Sequence, residues 1–358
     1  MVVDCGGGTV DLTTRKLVGE NILSETTERA GDYCGSSFID EEFLKYIGGI
    51  VGHSAIDKLR DKKSKSLQYM VQHFCQRAKF QFTGEDINFM YELDILDIIR
   101  VLKNYVEDQF IGELERDQWL IPIDFNKIKS MFDPIVEKII KMIEIQLENC
   151  GECSIMFLVG GFGQSKYLKK RIVEKFQDRV NTIVVPNDPV AAIVRGAVIY
   201  GLSLSNQLYN LRGNEDVIFI LKDRKLKFTY GIKVLELFKE GDPPERKKYG
   251  RFIEKFHRIA KRGDVVEIDK EIIVNNLYPL GEVSVIYYIY FTSKDGANYC
   301  DETGMELLGT LKIDLAEDPD KCMSFELSFG RMELTATARN EANGRNYFAT
   351  FEIDKEIN

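Results

Sequence analysis

Hydrophobic and polar positions alternate in distinct ways along the chain and predict its elements. Residues 1–4 read as the end of a buried strand. The stretches "TVDLTTRKLV" and "NILSETTE" alternate like two further strands, joined by a hairpin at Gly19–Asn21. From about Asp40 the pattern becomes helical, with apolar residues on one face at Leu67, Val71, Phe74 and Ala78.

A long helix and a strand–turn–helix unit follow in the middle of the chain. The helix is predicted over about 131–148, with Pro134 near its start, where proline is tolerated, and with apolar residues four apart at Ile135, Ile139, Ile143 and Leu147. A strand over 154–159 then leads through a glycine turn into a helix that opens at Ser165, with Leu168, Ile172 and Phe176 facing inward.

The segment "NTIVVPNDPVAAIVRGAVIYGL" repeats this scheme. It reads as a strand, a turn and a helix with Pro189 at its start and Gly201 at its end. Strands that alternate with helices indicate an α/β layer, in which ligands bind at the carboxyl ends of the strands.

The pattern changes near residue 210, which is therefore a candidate domain boundary. The polar stretch 206–216 reads as a linker. Beyond it come short strands separated by turn signals, as in a β-sandwich or a partly closed sheet: "SVIYYIYFTS", "MELLGTLKIDL", "CMSFELSF", "MELTATAR" and "NYFATFEI".

Composition places the chain among ordinary globular proteins. Of its 358 residues, 44% are hydrophobic and 29% are charged, which argues against disorder. The net charge of −9 provides no basic surface for nucleic acid, and no apolar run reaches the ~18 residues of a membrane span. Seven cysteines at irregular spacing indicate reduced thiols. We therefore expect a cytoplasmic protein.

A glycine triplet near the N-terminus is the first candidate site. Gly6, Gly7 and Gly8 let backbone N–H groups approach a phosphate without interference from a Cβ atom. Asp4 and Asp11 flank them, and carboxylates beside a bound phosphate act through Mg²⁺ and its waters. Taken alone, such a triplet is more often a tight hairpin. It is not a Walker loop, because no Lys-Ser/Thr pair follows it.

The turn Gly160–Gly163 is the second candidate site. It lies between a buried strand and a helix N-terminus, where backbone donors and the helix dipole favour a nucleotide, although a plain βα turn has the same pattern. A dinucleotide fingerprint is absent. Cys150 and Cys153 lack a second pair of ligands for zinc. No nucleophile–base pattern surrounds the histidines His53, His73 and His257.

The order of four motifs resembles a known family. "VVDCGGGTVDL", "QRAKFQFTG", "MFLVGGFGQSKYLKKRI" and "VPNDPVAAIVRGA" follow one another as in the second lobe of the actin-like ATPase domain of the 70-kDa heat-shock chaperones. Their divergent heat shock 70 kDa protein 12-like branch is the most similar. The resemblance implies an α/β actin-like (ribonuclease H-like) lobe followed by a β-rich C-terminal domain.

The resemblance also implies domain bounds. The lobe would cover 1–205, with a mostly helical subdomain inserted at about 34–120. A linker over 206–216 would lead to a β-rich, substrate-binding-like domain over 217–358.

A role for the glycine loop follows from the same resemblance. Asp4 would hold Mg²⁺ through its waters, with Asp11 as a second carboxylate near the cation. The backbone of Gly6–Gly8 and the Thr9 hydroxyl would hold the β- and γ-phosphates of ATP or ADP, and Gly35 matches a glycine of a further turn near the phosphates.

Nucleoside contacts are implied for a second group of residues: Gln76, Lys79, Thr83, Gly160 and Gly161. The sequence departs from the family pattern at three further positions. Ser36 and Val190 stand where the family has acidic residues, with Asp188 two positions before Val190, and Phe80 replaces an arginine beside the adenine. Each departure removes a polar contact to the nucleotide.

An actin-like cleft has two lobes, and the motifs of the first would lie upstream of Met1. We therefore expect the sequence to be an N-terminally truncated fragment of a longer protein, and to hydrolyse ATP poorly or not at all, because phosphoryl transfer needs charge neutralisation from both sides of the nucleotide. The missing first lobe, or a partner at its interface, would cover the apolar face of the second.

Two functions are compatible with these expectations. The first is an ATP-binding, chaperone-like protein of the stress response, whose lobe holds ATP/ADP with Mg²⁺ and whose β-rich domain holds client polypeptides or peptides. The alternative is a non-catalytic peptide-binding or scaffold protein that engages extended peptides by strand addition. A sugar or acetate kinase is a weaker third, because the C-terminal β region has no place in such an enzyme.

Overall fold

The structure of the chain is a computed structural model that describes residues 1–204, 220–279, 284–315, 322–330 and 333–352. The chain divides into two compact units. The first holds Met1–Thr14 and the described residues from Arg29 to 204, and the second holds Arg15–Glu28 and the described residues from 220 onward. The predicted linker over 206–216 lies outside the described residues.

Strands and helices alternate along residues 1–204. The strands are β1 (Val2–Cys5), β2 (Val10–Thr13), β3 (Arg15–Gly19), β4 (Ile22–Glu25), β5 (Ala30–Asp32), β6 (Met90–Asp94), β7 (Leu120–Asp124), β8 (Cys153–Val159) and β9 (Val180–Val184). The helices are α1 (Ser37–Val51), α2 (His53–Lys62), α3 (Ser64–Phe74), α4 (Ile95–Ile98), α5 (Asp108–Arg116), α6 (Phe125–Cys150), α7 (Lys166–Phe176) and α8 (Ala192–Leu204).

Strands dominate the described residues beyond 220. They are β10 (Ile220–Lys225), β11 (Thr229–Leu237), β12 (Lys247–Lys248), β13 (Phe252–Ala260), β14 (Val265–Glu267), β15 (Glu271–Leu277), β16 (Ser284–Thr292), β17 (Met305–Asp314), β18 (Met323–Phe329), β19 (Glu333–Asn340) and β20 (Asn346–Glu352). The chain is therefore α/β in its first part and β-rich in its C-terminal part, as predicted.

The main sheet of the first unit has the order β5-β2-β1-β8-β9 among the described residues. β1 is antiparallel to β2 and parallel to β8. Side chains alternate across this sheet, so Val3 and Cys5 are buried in the core, whereas Asp4 lies on the opposite face. Asp4 pairs with Asp11 across β1 and β2. This register brings both carboxylates to one face of the sheet, beside the turn that joins the strands.

The long helix begins earlier than the sequence pattern predicts. The Asp124 side chain caps α6 by accepting a hydrogen bond from the Lys127 N–H at 2.8 Å. The prediction that Pro134 lies near the start of the helix is therefore wrong, because Pro134 lies more than two turns inside it. The predicted apolar face is confirmed, since all four of its residues are buried: Ile135, Ile139, Ile143 and Leu147.

The two helices after the glycine turn differ in how well the sequence predicts them. The Ser165 side chain caps α7 by accepting from the Leu168 N–H at 3.3 Å, which confirms the predicted start of this helix. The predicted bounds of the next helix are wrong by three residues at each end. α8 begins at Ala192 rather than at Pro189, and it continues past Gly201 to Leu204.

The hairpin β3–β4 groups with the second unit, although the sequence pattern places it in the first predicted domain. The stretch predicted as one strand is two, β2 and β3, with Thr14 between them. β4 then pairs in parallel with β10. The Asp223 carboxylate accepts hydrogen bonds from the Ser24 hydroxyl at 2.7 Å and from the Glu25 N–H at 3.2 Å. Because β4 and β10 are far apart in the sequence, no local sequence pattern predicts that they pair.

The second unit contains a two-layer core. One layer has the strand order β12-β13-β11-β16-β17 and the other β15-β18-β19-β20. Their inner faces meet through aromatic contacts, with ring centroids 5.2 Å apart for Tyr230 and Phe329 and 5.0 Å apart for Tyr287 and Phe325. Two layers packed in this way correspond to a β-sandwich, one of the two architectures that the sequence left open. All five strands predicted from the C-terminal sequence are present as β16–β20.

Two further sequence predictions concern the membrane and the cysteines. Among the described residues, none of the helices combines the length and the apolar character that crossing a membrane requires. None of the seven cysteines forms a disulfide in the structure, and the redox state of the thiols stays a prediction. The cytoplasmic location stays a prediction.

Candidate functional site

The turn between β1 and β2 comprises Gly6–Thr9 and is closed by a hydrogen bond from the Gly6 N–H to the Thr9 carbonyl at 2.9 Å. We call Gly6–Thr9 the glycine loop. Its carbonyl oxygens accept hydrogen bonds from the residues that begin α1. The three bonds are Ser36 N–H to Gly6 O at 3.1 Å, Ser37 N–H to Gly7 O at 2.8 Å and Gly35 N–H to Gly8 O at 3.1 Å.

This pairing determines which polar groups the glycine loop presents. The carbonyl dipoles face the positive end of the α1 macrodipole, which is a favourable arrangement. The N–H groups of Gly7 and Gly8 donate none of the hydrogen bonds found among the described residues. Both residues are exposed. Successive free N–H groups in a turn form a concavity that binds anions.

Gly35 is required by the close approach of α1 to the glycine loop. A Cβ atom at Gly35 would overlap the carbonyl group of Gly7 and would lie 2.6 Å from the Gly8 nitrogen. Both are backbone atoms, which cannot move aside as the end of a long side chain can. The sequence prediction that Gly35 lies near the glycine loop is consistent with this geometry, and the structure gives the reason for a glycine there.

Two carboxylates lie beside the glycine loop. Asp4 is half-buried, and Asp11 is exposed and accepts a hydrogen bond from the Thr9 hydroxyl at 3.2 Å. Burial, and secondarily the charge of Asp11, raises the pKa of Asp4 above its ordinary value. The two negative charges repel one another, so a cation between them would be stabilised.

The pKa of Asp4 predicts a pH dependence. Because folding raises this pKa, Asp4 favours the folded state most when it is protonated, and that contribution is lost as pH rises through the raised value. A cation needs the ionised form, so Mg²⁺ bound together with a phosphate chain should stabilise the protein increasingly over the same rise. We expect the melting-temperature gain from Mg²⁺ in the presence of tripolyphosphate to grow between about pH 4 and 7, as measured by thermal unfolding.

The matched variant for this measurement is Asp4→Asn, which keeps the size of the side chain and removes its charge. We expect its gain from Mg²⁺ to be small and flat over the same pH range. A gain as large and as pH-dependent as that of the unmodified chain would exclude Asp4 as the group that responds.

The second glycine turn follows β8 and packs against β1. Gly160 has a φ of +79°, and its N–H donates to the Pro189 carbonyl at 2.9 Å. A Cβ atom here would lie 2.5 Å from Asp4 Oδ1 and 2.5 Å from the Cys5 carbonyl oxygen. Gly161 has ordinary helical backbone angles, and no atom lies within 4 Å of the position of its Cβ. The absence of a Cβ at Gly160 thus leaves room for the Asp4 carboxylate, whereas Gly161 is exposed.

Three of the residues assigned to the nucleoside by resemblance lie on and just after the π-helical turn Cys75–Lys79. They are Gln76, Lys79 and Thr83. Gln76 is exposed, and Phe80 next to this turn is 66% exposed. The Thr83 hydroxyl accepts from the Glu85 N–H at 3.3 Å. Among the described residues, no hydrogen bond links Gln76 or Thr83 to the glycine loop. The nucleoside assignments stay predictions.

Lys79 differs from its neighbours because it is buried, with 6% of its surface exposed. Its ammonium group donates to the Ser36 carbonyl at 2.6 Å and to Asp40 Oδ1 at 2.7 Å. Asp40 was not singled out from the sequence as a site residue. The available signal was its place in the first turn of the helix that follows Gly35. This signal is weak, because acidic residues are favoured in the first turn of any helix.

Val190 and Asp188 lie before α8. Val190 is 55% exposed. Asp188 forms an ion pair with Arg195 of α8 at 2.8 Å, so its carboxylate is engaged locally. The sequence left open whether Asp188 substitutes for the acidic residue that Val190 replaces, and the structure shows Asp188 in a local ion pair.

A magnesium ion is the metal that the resemblance implies. The described residues contain no group of three or more His, Cys, Asp or Glu that could hold a metal ion by themselves. Mg²⁺ usually keeps several waters and binds through one or two carboxylates together with substrate phosphates. Asp4 and Asp11 beside the anion-binding glycine loop match that donor set, so the residues fit Mg²⁺ bound together with a phosphate group.

Comparison with known proteins gives similarity over nearly the whole chain. The chain is 25% identical over 362 residues to heat shock 70 kDa protein 12A of Mus musculus, which covers 94% of this chain and 51% of that protein. It is 24% identical to the Homo sapiens 12A protein and 23% identical to the Homo sapiens 12B protein, over 96% and 99% of this chain. The resemblance inferred from the motifs is therefore confirmed.

The chain spans about half the length of the curated relatives that it matches. No family model matches it. Among solved structures, the activator of the 2-hydroxyisocaproyl-CoA dehydratase from Clostridium difficile, with bound ADPNP, is similar with a TM-score of 0.28 and 15% identity, over 60% of this chain and 64% of that one.

Proposed function

We propose, from the similarity to the heat shock 70 kDa protein 12A and 12B proteins, that residues 1–204 form an actin-like lobe that binds ATP or ADP. The observation that carries the proposal is the glycine loop. Its carbonyls are held by the start of α1, and the N–H groups of Gly7 and Gly8 are left for an anion. A phosphate chain is the anion that this loop and its flanking carboxylates fit together.

Asp4 and Asp11 are proposed to hold Mg²⁺ through its waters, at the side of the bound phosphates. When bound, the ion neutralises charge on the phosphates and relieves the repulsion between the two carboxylates. The protein's own contribution is geometric. The β1–β2 register places both carboxylates on one face, and the absence of a side chain at Gly160 leaves room for the Asp4 carboxylate.

The nucleoside is proposed to lie toward Gly161, Gln76 and Thr83. Gly161 supports this assignment because it is exposed and leaves open space where a Cβ would stand. Phe80, with 66% of its surface exposed, offers an aromatic face on which a purine can stack. Hydrolysis by this chain is not part of the proposal, and the expectation of poor turnover stays a prediction.

The role of the β-rich unit is proposed from similarity alone. We propose that the whole protein is chaperone-like, with the second unit binding client polypeptides or peptides. The non-catalytic peptide-binding alternative is supported by the exposure of Phe80 and Val190, where the family has charged residues. Whether the glycine loop binds a nucleotide decides between the two.

The deciding experiment is ATP binding by Gly7→Asp. A side chain at Gly7 meets no atom within 4 Å, so the variant should fold normally. Its carboxylate would repel the phosphates from the loop, and we expect the affinity for Mg-ATP to fall by about tenfold or more. Isothermal titration calorimetry measures the affinity, and circular dichroism checks the fold.

The charge-matched control is Gly296→Asp in the second unit. Gly296 is exposed, and no atom lies within 4 Å of its Cβ position, so this variant should bind ATP like the unmodified chain. Equal affinity in Gly7→Asp and in the unmodified chain would contradict the assignment of the loop. If the unmodified chain binds no ATP, the nucleotide proposal is wrong and the peptide-binding alternative is favoured.

A further inference from the structure

Lys79 contacts Ser36, the residue before α1 whose N–H donates to the glycine loop. The lysine is the last residue of the π-helical turn Cys75–Lys79, and local π-helical turns occur often at functional sites. Its ammonium group contacts the Ser36 carbonyl at 2.6 Å and Asp40 Oδ1 at 2.7 Å. A buried ammonium is costly unless it is paired and hydrogen-bonded, so these two contacts are what make its burial tolerable.

Ser36 connects the lysine to the glycine loop. Its carbonyl oxygen accepts from Lys79 and also from the Ile39 N–H at 3.2 Å. Its own N–H donates to the Gly6 carbonyl at 3.1 Å. Ser36 thus links the two: its carbonyl oxygen accepts from Lys79, and its N–H donates to Gly6 of the loop.

Asp40 completes the arrangement from the first turn of α1. Its Oδ1 accepts from Lys79 and from the Cys75 thiol at 3.3 Å. Burial and the charge of Asp40 raise the pKa of Cys75 to about 12, which keeps the thiol neutral and able to donate. An acidic residue is favourable at a helix N-terminus, where a lone cation is not. The aspartate therefore allows a positive charge to be buried at this end of α1.

We propose that Lys79 and Asp40 form a clamp that sets the position of the glycine loop for phosphate binding, and that Lys79 is a positioning residue which does not contact the nucleoside. The inference rests on the proposed nucleotide site and revises one residue of it. With 6% of its surface exposed and two partners on its ammonium, Lys79 has little surface left for a ligand.

The test separates phosphate affinity from nucleoside affinity in Lys79→Met, which keeps the length of the side chain and removes its charge. Calorimetry is run with Mg-ATP, with Mg-tripolyphosphate and with adenosine. The clamp predicts that affinity for Mg-ATP and Mg-tripolyphosphate falls by about tenfold, while affinity for adenosine is unchanged. A loss for adenosine with none for tripolyphosphate overturns the proposal, and so does no change for any of the three probes.

The matched control is Lys129→Met on α6. Lys129 also pairs with an aspartate, Asp133, at 2.5 Å, but it is not connected to Ser36, and this variant should bind all three probes normally. If Lys79→Met fails to fold, Asp40→Asn carries the test. That variant keeps an oxygen acceptor for Lys79 and removes the charge, so it should show the same pattern with a smaller loss.

A measurement without ligand tests the clamp independently of the nucleotide proposal. Amide hydrogen exchange, followed by mass spectrometry, should be faster in Lys79→Met than in Lys129→Met for peptides that cover the glycine loop and residues 33–40. Equal exchange overturns the clamp even if ATP binds. Faster exchange in a chain that binds no ATP retains the clamp as a structural feature and rejects its link to phosphate.

Discussion

Replacing Gly35 by alanine is expected to weaken both the first unit and its proposed phosphate site. The added Cβ would overlap the Gly7 carbonyl group and would lie 2.6 Å from the Gly8 nitrogen. Overpacking of this kind costs about 1–3 kcal/mol of unfolding free energy. The glycine loop has to move away from α1 to relieve it, and displacement of a binding loop lowers ATP affinity by about tenfold or more. Thermal unfolding and calorimetry measure the two effects.

The control is Gly49→Ala in the same helix. No atom lies within 4 Å of a Cβ at Gly49, and replacing a helical glycine by alanine stabilises a helix by about 1 kcal/mol. Gly49→Ala should therefore raise the melting temperature slightly and leave ATP affinity unchanged. If Gly35→Ala behaves in the same way as Gly49→Ala, the contact between α1 and the glycine loop is not as close as the structure has it.

Replacing Gly160 by alanine is expected to have the second large effect, on stability first. The residue has a φ of +79°, which costs roughly 1–2 kcal/mol for an L-residue with a side chain. The Cβ would also lie 2.5 Å from both Asp4 Oδ1 and the Cys5 carbonyl oxygen, which adds overpacking. We expect a loss of about 2–4 kcal/mol in unfolding free energy, measured by chemical denaturation.

The adjacent glycine provides the control for this variant. Gly161 has a φ of −64°, and no atom lies within 4 Å of its Cβ position, so Gly161→Ala should change the unfolding free energy by no more than about 0.5 kcal/mol. If a nucleoside approaches this turn, Gly161→Ala lowers ATP affinity without lowering stability. Equal stability of the two variants would mean that Gly160 has neither the positive φ nor the close neighbours described here.

Local periodicity was enough to predict most elements that have a strong apolar face. The face of α6, the cap of α7 at Ser165 and the five C-terminal strands β16–β20 all follow the sequence pattern. The errors fall where the pattern is weak. Pro134 was predicted near a helix start because proline is favoured there, but α6 begins after the Asp124 cap, and the buried residues on either side of Pro134 belong to the helix.

The candidate site was predicted in its parts and not in its connections. Asp4, Asp11 and the glycine triplet could be read from the sequence because glycines and flanking carboxylates at that spacing have a chemical meaning. The bonds from Ser36 and Ser37 to the loop, and the burial of Lys79 against Asp40, could not be read. These contacts join segments about 30 to 40 residues apart in sequence, and no local periodicity encodes them.

The sequence by itself determined the α/β and β-rich character of the two parts, the glycine loop with its carboxylates, and the resemblance to the heat shock 70 kDa protein 12 proteins. These depend on residue type and short-range spacing, which the backbone periods of 3.6 and 2 convert directly into faces and turns. Only the tertiary structure decided that β4 pairs with β10, that a glycine at 160 leaves room for Asp4, and that Lys79 contacts Ser36 rather than solvent. Which surfaces pack together depends on contacts throughout the core, and no single segment of the chain specifies those contacts.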